Sequence, residues 1–130
     1  DHKGEQSQIE SCRLVLDRIK KMCHGERAVL TGDLNVGETS TCHSIICESG
    51  ILRDAYDSSP IRLTTTGTEN WFDPDIKTFR RIDHIFITPG FTPLRYGILT
   101  DTYRVPTDVP GKYRAHTPSD HFPVVVELAY

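Results

Sequence analysis

Three short polar segments interrupt apolar stretches of the sequence, and each carries side chains that could act on a phosphate. The first is Gly-Asp-Leu-Asn at residues 32–35, directly after a predicted buried strand. Asp33 and Asn35 are two residues apart, so their side chains point to the same side if the strand continues. A carboxylate beside an amide is suited to holding a water molecule or a phosphate oxygen. A simple polar turn is the alternative, because Gly, Asp and Asn dominate turns.

The second and third segments each place an acid next to a histidine. Asp83 lies in Arg-Ile-Asp-His-Ile-Phe at residues 81–86, and an Asp in so apolar a strand is costly unless it is paired. A histidine is its natural partner, because a carboxylate can fix the imidazole tautomer and support its charge. Asp120 and His121 follow in Ser-Asp-His-Phe-Pro-Val at 119–124, where one could ligate a metal while the other meets Asp83 or a phosphate. A solvent-facing strand edge and a polar loop end are the alternatives.

The elements that must position these segments begin with two helices and a short strand. Apolar residues at steps of three and four predict a helix over residues 8–23, and Ser7 with Glu10 fits a capping box at its start. A buried strand is predicted at 27–31 and ends where the first polar segment begins. A second, shorter helix is predicted at 41–48.

The remainder of the chain is rich in predicted strands, which makes the fold class α+β. These strands are expected at residues 51–56, 61–66, 79–88, 94–99 and 122–128. Their nearly continuous apolar character is typical of sheets that are covered on both faces. The stretch 101–119 is predicted to be a long loop, and loops of that length inside compact domains are usually functional.

Length and composition indicate one globular domain. The chain has 130 residues, of which 37% are hydrophobic and 25% are charged, and this composition excludes a disordered tail. A formal net charge of -3 removes the simplest case for nucleic-acid binding, a broadly basic surface, although a local basic patch or a bound cation could still serve. No apolar run approaches the ~18 residues of a membrane span, so none is predicted.

The four cysteines lie at positions 12, 23, 42 and 47, and their spacing matches no zinc pattern. Cys12 and Cys23 fall on the apolar face of the first predicted helix, where a free Cys behaves as a small hydrophobic residue. Buried thiols are therefore the favoured prediction, with a disulfide as the alternative. A Cys/His metal-binding protein that uses Cys42, His43 and Cys47 is a further alternative, but it lacks a convincing fourth ligand.

Taken together, in this order and on these elements, the three segments resemble the endonuclease/exonuclease/phosphatase superfamily. This superfamily includes pancreatic-type deoxyribonucleases, inositol-phosphate phosphatases and neutral sphingomyelinases. The resemblance also covers the helix at 8–23 and the Gly-Ile-Leu-Arg-Asp-Ala segment at 50–55. It implies a DNase-like β-sandwich flanked by helices in four layers, α/β/β/α. It also implies hydrolysis of a phosphoester bond with Mg²⁺ or Mn²⁺ as cofactor.

The resemblance assigns a role to each polar residue. Asp33 would orient or deprotonate the attacking water, and Asn35 would hold the scissile phosphate or that water. Asp120 would contribute to the metal site. His121 would contact the phosphate, with Asp83 behind it as the orienting carboxylate. In-line displacement by water, without a covalent enzyme intermediate, is the reaction that this set implies, and hard cations do prefer carboxylate oxygen.

One part of the family pattern cannot be located in this sequence. Family members carry a first half with an Asn near the first strand, a metal-binding Glu on a following strand, and a Tyr or His before the helix. Single β-sandwich domains commonly run about 200–250 residues. We therefore expect residues 1–130 to be the C-terminal half of one domain, with the missing N-terminal half as its partner. Alone, the chain is expected to be weakly active or inactive and to associate through the face that this half would cover.

The substrate-binding residues follow less directly. Arg81, Arg104 and Arg114 are candidates because basic side chains contact phosphates, and Trp71 could rim the site. A solvated loop for the two later arginines and a core position for Trp71 are the alternatives. The substrate class stays open between nucleic acid, sugar or inositol phosphate and lipid headgroup, with duplex DNA disfavoured by the net charge. A non-catalytic interaction module that retains the fold is the alternative function, although retention of all five site residues argues against it.

Overall fold

Helices occupy the beginning of the chain and strands most of the remainder. The computed structural model describes residues 2–130, with side chains from Gly4 onward. The helices are α1 (His2–Cys23), α2 (Thr41–Glu48) and α3 (Ala55–Ser58). The strands are β1 (Val29–Asp33), β2 (Arg53–Asp54), β3 (Ile61–Leu63), β4 (Asp83–Ile87), β5 (Thr92–Ile98), β6 (Tyr103–Pro106), β7 (Tyr113–His116) and β8 (Val124–Ala129). The predicted α+β class is confirmed.

The first helix begins earlier than its sequence signals suggest. It starts at His2 rather than at residue 8, so Ser7 and Glu10 lie within the helix and do not form a capping box. The Ser11 hydroxyl donates to the Ser7 carbonyl at 2.8 Å, a back-bond typical of a helix interior. The capping prediction was therefore wrong, because favourable residues upstream extend the helix. α2 occupies the predicted residues and is capped by Ser40, whose hydroxyl accepts from His43 N at 3.1 Å.

The first sheet is antiparallel, has the strand order β1-β4-β2, and carries α1 and α2 on one face. The main buried residues on that side are Cys12, Leu16, Val36, Cys42, Ile46, Leu52 and Phe86. On the other face, Ile85 and Ile87 pack against β8. Burying a side chain such as Phe86 completely contributes roughly 1.5–3 kcal/mol relative to leaving it exposed. β4 is thus covered on both faces, as its continuous apolar sequence predicts.

The second sheet has the order β3-β5-β8, with β3 parallel and β8 antiparallel to β5. Val124, Val126 and Leu128 of β8 pack inward, whereas Val125 is 47% exposed. This alternation shows that the outer face of the second sheet is open, so the expectation of coverage on both faces was wrong for β8. The described residues form one helical layer and the two packed sheets of the DNase-like architecture.

Two predicted segments differ in their local structure. The strand expected at 51–56 is the short β2 followed by α3, because the Asp54 carboxylate accepts from Tyr56 N at 2.8 Å and caps a helical turn. The long loop expected at 101–119 contains the β6–β7 hairpin. Among residues 2–130, no helix is long and apolar enough to cross a membrane.

The cysteines divide into a bonded pair and two free thiols. Cys12 and Cys42, whose Cα atoms are 6.2 Å apart, form a disulfide between α1 and α2. Cys23 and Cys47 are free and partly buried. The preference for thiols was therefore wrong for Cys12 and Cys42, which realise the disulfide alternative. The alternative of a Cys/His metal site cannot use Cys42 as a ligand, because the sulfur of Cys42 is in the disulfide.

Candidate active site

Strand register brings the first two polar segments together. β1 and β4 are antiparallel, and Asp33 at the end of β1 lies opposite Asp83 at the start of β4. Residues directly opposite in such a pair have Cα atoms roughly 4.5–5.5 Å apart. Directly paired residues share a face of the sheet, so the two carboxylates lie on the same side, where their like charges repel unless a cation lies near them. This end of the sheet is therefore suited to a positively charged side chain or ligand.

The third polar segment supplies such a side chain. His121 Nδ1 lies 2.8 Å from Asp83 Oδ2, and Nδ1 carries the proton because a carboxylate only accepts. This hydrogen bond is the main reason that the pKa of His121 is raised; its slight burial opposes the shift, and the charges of Asp83, Asp33 and Asp120 add to it. The imidazolium therefore persists to a higher pH than in a free histidine. The expected contact between Asp83 and a histidine is present.

Asn35 reaches Asp33 through a turn rather than through a continuing strand. β1 ends at Asp33, and Asn35 has a left-handed φ of 53°, which Asn tolerates better than most residues. Asn35 N donates to Asp33 Oδ1 at 2.7 Å, and Asn35 Nδ2 donates to Oδ2 at 3.3 Å. The carboxylate and the amide lie together as the spacing suggests, but the local structure is the polar turn.

Asp120 is held in place through its backbone. Its carbonyl accepts from Asn70 N at 2.7 Å and from Trp71 N at 3.1 Å, and its side chain is exposed. The neighbouring His121 N donates to Ser119 Oγ at 3.1 Å, which tightens the turn around the acid. The Asp120 carboxylate accepts at Oδ1 from the Ser119 hydroxyl at 3.4 Å, which leaves Oδ2 available to bind a ligand.

Two buried residues that the sequence reasoning missed connect these parts. Thr68 Oγ1 accepts from Ile82 N at 3.0 Å and from Asp83 N at 3.3 Å, and it is completely buried. Asn70, also completely buried, accepts at Oδ1 from Phe72 N at 2.8 Å and from the Thr117 hydroxyl at 3.1 Å. These residues hold the start of β4 to the segment that carries Asp120. Their long-range contacts leave no periodicity or spacing signal in the sequence.

Asp33, Asp83 and His121 line a cleft of about 460 Å³. β1 forms one wall, β4 the floor, and the segment before β8 the other wall; the lining includes Thr31, Gly32, Asp33, Asp83, His84, Ile85, Ser119, His121 and Val124. Within the described residues, β1 pairs only with β4, and β8 pairs only with β5. β1 and β8, which both contribute to the lining of the cleft, therefore each have an outer edge with free hydrogen-bonding groups in this part of the chain.

Carboxylates in and beside this cleft fit a hard cation. Among the side chains that the structure describes, Asp33 and Asp120 take part in no ion pair, and Asp83 pairs only with His121. Mg²⁺ and Mn²⁺ bind carboxylate oxygen and commonly use one or two carboxylates together with water and substrate phosphate. The donor chemistry thus suits the expected ion, which Asp120 would bind.

The candidate substrate-binding arginines are not brought together. Arg81 is 6% exposed, donates to Asp54 Oδ2 at 3.1 Å and lies over the Tyr56 ring at 3.7 Å. It therefore belongs to the core and is not available to a ligand. In the β6–β7 hairpin, Arg104 pairs with Ala115, and Arg114 pairs with the residue after Arg104. Since directly paired residues share a face, Arg104 and Arg114 lie on opposite faces of the hairpin.

Trp71 is on the surface beside the turn that carries Asp120. It is 70% exposed, and both Trp71 and Phe72 have left-handed φ values, 55° and 62°. Such values are unusual for bulky residues and require support from the surrounding structure. The Trp71 N–H bond to the Asp120 carbonyl supplies part of that support. The core alternative for Trp71 is not realised, and a place at the rim of the site stays a prediction.

A second group of ligand-type side chains lies in the core. One atom each of His43, Asp54 and His84 lies within 4.8 Å of the others. Asp54 Oδ2, however, already accepts from His43 Nε2 at 2.9 Å and from Arg81 Nη1 at 3.1 Å. A metal ion at this oxygen would face a buried guanidinium, so the donor set does not fit one. Burial would raise the pKa of Asp54, but the His43 hydrogen bond, the nearby His84 and the charge of Arg81 together hold it well below its usual range.

Comparison with known proteins identifies the family and supports the fold. The family model for the Endonuclease/Exonuclease/phosphatase family matches residues 12–121. Comparison with curated protein sequences gave no match. Among solved structures, a mannosyl-6-phosphatase from Bacteroides thetaiotaomicron VPI-5482 is 45% identical, with a TM-score of 0.90 over 100% of this chain and 48% of that one.

Two further solved structures extend the comparison. An endonuclease/exonuclease/phosphatase family protein from Bacteroides thetaiotaomicron is 45% identical, with a TM-score of 0.89 over 98% of this chain and 47% of that one. A protein of the same family from Bacteroides vulgatus is 27% identical, with a TM-score of 0.73 over 96% of this chain and 44% of that one. The chain thus spans about half the length of these relatives. With a family match across most of its residues and a DNase-like fold, the chain belongs to the endonuclease/exonuclease/phosphatase family.

Proposed function

We propose that this chain carries the water-activating and phosphate-binding residues of a metal-dependent phosphoesterase. The observation that supports this most directly is the convergence of Asp33, Asp83 and His121 on one cleft. The three residues come from segments far apart in sequence. Each is of a type that in-line hydrolysis of a phosphoester requires: a carboxylate for water, a cationic donor for the phosphate, and an acid that orients the donor.

The proposed roles follow from the hydrogen bonds. Asp33 accepts two bonds from Asn35, which fix its carboxylate, and it orients or deprotonates the attacking water. Asn35 holds that water or the scissile phosphate through the remaining hydrogen-bonding capacity of its amide. His121, with its Nδ1 proton engaged by Asp83, presents Nε2 as the donor to a phosphate oxygen. The raised pKa of His121 favours the charged form that stabilises a developing negative charge.

Asp120 is the proposed ligand for Mg²⁺ or Mn²⁺. When bound, such an ion polarises a phosphoryl oxygen and offsets the charge of the carboxylates around it. The exposed side chain of Asp120 and the backbone bonds that hold its turn suit this role. A further carboxylate, expected outside residues 1–130, would complete the site.

We further propose that residues 1–130 are one part of a single domain and are inactive or weakly active alone. The chain spans about half of its relatives, and within residues 2–130 the strands β1 and β8, which contribute to the cleft, each have one unpaired edge. Additional strands at these edges would close the cleft and bring the remaining ligands.

A sugar phosphate is the substrate class that we propose first. The relative that is 45% identical over the whole chain is a mannosyl-6-phosphatase, so a phosphomonoester on a hexose is the natural starting point. Exposed Trp71 beside Asp120 supports this choice, because an aromatic ring can pack against the apolar face of a sugar. Arg104 and Arg114 lie on opposite faces of the hairpin, so only one of them can contact the phosphate, and each remains a candidate for that contact.

The experiment uses the chain joined to the part of the mannosyl-6-phosphatase that it does not cover, here termed the completed domain. We expect the completed domain to hydrolyse mannose 6-phosphate or p-nitrophenyl phosphate with Mg²⁺, and to lose this activity on addition of EDTA. The two parts assayed separately are the controls. Turnover that is unaffected by EDTA would contradict the metal role. A folded completed domain without phosphatase or phosphodiesterase activity would contradict the proposed function.

A further inference from the structure

The turn that carries Asn35 is bonded to the core by His84. His84 Nε2 lies 2.9 Å from the carbonyl oxygen of Val36, the residue after Asn35. A carbonyl oxygen only accepts, so Nε2 must carry the proton and donate. His84 is 2% exposed and Val36 is 7% exposed, so water does not compete for this bond. One buried side chain therefore fixes the peptide unit between Val36 and Gly37, next to the residue that follows Asn35.

The other bonds of this turn leave that peptide unit free. Leu34 N donates to the Ile82 carbonyl at 2.9 Å, before Asn35, and the Glu38 carboxylate accepts from Arg81 N at 3.1 Å, after it. Asn35 itself is bonded to Asp33 through its backbone N–H and its side chain, and its left-handed φ of 53° is one that Asn adopts readily. The bond from His84 lies between the bonds made by Leu34 and Glu38, and it is made to Val36, the residue adjacent to Asn35.

His84 is itself rigidly placed. Its ring stacks on Phe86 with 5.4 Å between centroids and an interplanar angle of 25°. Its ring also lies beside His43, with 5.2 Å between centroids, while its Nδ1 is 3.7 Å from Asp54 Oδ2, too far for a hydrogen bond. His84 also follows Asp83 directly on β4, and successive strand residues point to opposite sides. Asp83 thus orients His121 from one side of the strand, while His84 holds the Asn35 turn from the other.

We propose that His84 is a positioning residue of this site: its Nε2–H, bonded to the Val36 carbonyl, sets the placement of Asn35 relative to Asp33. The inference rests on the proposed phosphoesterase function for its consequence in turnover. The hydrogen bond from His84 to the Val36 carbonyl and the tautomer of His84 can be tested without an activity assay. His84 does not touch the substrate in this proposal; it acts through Asn35.

The kinetic test compares three variants of the completed domain. His84→Phe keeps the stacked ring but removes the donor, and we expect kcat to fall about 100-fold with a smaller change in KM, since displacement of a positioned group by ~1 Å can cost that much. His84→Gln retains an N–H donor and should recover most of the loss. Tyr96→Phe is the matched control, because it also keeps the ring and removes a polar group from a side chain that is 2% exposed, but Tyr96 has no bond to the turn. It should leave kcat unchanged even if it lowers stability.

Equal kcat values for His84→Phe and Tyr96→Phe would overturn the proposal, as would a His84→Gln variant no better than His84→Phe. The second test uses the 130-residue chain without substrate. Nitrogen-15 NMR should show His84 protonated at Nε2, and amide exchange at Asn35 and Val36 should be faster in His84→Phe but not in His84→Gln. A proton at Nδ1 alone would also overturn the proposal. An inactive wild-type completed domain would count against the proposed function, while the NMR result would still decide the role of His84.

Discussion

His121 carries the charge on which the proposed chemistry depends, and Asp83 controls the pH range over which it is present. A group whose pKa is raised by folding contributes stability that is fully present below its unfolded pKa and is lost as pH rises through the folded one. The same titration removes the cationic donor that the phosphate needs. At the scale of single residues, the site is therefore expected to lose both activity and part of its stability on the alkaline side.

Replacing Asp83 should lower the pH at which His121 loses its charge. In Asp83→Asn the hydrogen bond weakens and the nearest negative charge disappears, so the pKa of His121 should fall toward its usual value of about 6.5. NMR titration of His121 in the chain measures the shift, and the alkaline limb of the kcat profile of the completed domain should move to lower pH with it. An unchanged titration curve would show that Asp83 does not control this histidine.

Replacement of either Asp33 or His121 should remove most of the turnover. Asp33→Asn takes away the base, and His121→Ala takes away a charged donor; we expect each to lower kcat by about 100-fold or more. Asp17→Asn, at an exposed acid on α1, is the matched control and should keep the wild-type rate. Steady-state kinetics of the completed domain provide the comparison, and near-normal rates in Asp33→Asn or His121→Ala would exclude the assigned roles.

At the scale of elements, a buried ion pair joins β2 to the residues before β4. Arg81 donates to Asp54, while His43 from α2 donates to the same carboxylate oxygen. The lowered pKa of Asp54 means that its stabilising contribution is present above the unfolded value of 3.8 and is lost only as pH falls through the lower folded value. This network therefore holds the site together at every pH at which the site would work.

Two arginine ion pairs among the described side chains, one buried and one exposed, give a matched test of this network. Arg81→Gln leaves the Asp54 charge buried and should lower the free energy of unfolding by about 3–5 kcal/mol. Arg95→Gln breaks the exposed pair with Glu127 and should change it by less than about 1 kcal/mol. Urea denaturation followed by circular dichroism measures both. Similar losses in the two variants would mean that burial does not distinguish these pairs.

At the scale of the whole molecule, the free edges of β1 and β8 dominate the expected behaviour. Unpaired strand edges attract other strands, and Val29 of β1 is 45% exposed. The outer face of the second sheet adds exposed Ile61, Leu63 and Val125. A chain with these surfaces is suited to association, either with the remaining part of its own domain or with further copies.

We therefore expect the isolated chain to self-associate in a concentration-dependent manner. Val29→Lys should weaken this association, because a charged side chain on an edge strand disfavours pairing. Light scattering coupled to size-exclusion chromatography measures the mass. Adding the uncovered part of the mannosyl-6-phosphatase as a separate polypeptide should shift the mass to a one-to-one complex. A chain that is monomeric at all concentrations and ignores this polypeptide would contradict the two-part domain.

The sequence by itself determined the residue types of the site, the α+β class and the family. Asp33, Asn35, Asp83, Asp120 and His121 were predicted from local spacing and from motifs, because in-line phosphate chemistry needs particular side chains next to apolar strands. The helix at 41–48 was predicted correctly for a similar reason, since capping and periodicity are local signals. Family comparison depends on the same local segments, and it confirms the resemblance that they suggested.

Only the tertiary structure decided which of these side chains meet and which polar residues belong to the core. Arg81 resembled a phosphate contact until its burial against Asp54 became visible, and His84 resembled an ordinary strand residue until its bond to Val36 did. Thr68 and Asn70 had no detectable signal at all. The physical reason is the same in each case: a hydrogen bond between residues dozens of positions apart depends on strand register and on the packing of layers, and neither is written in the spacing of neighbouring residues.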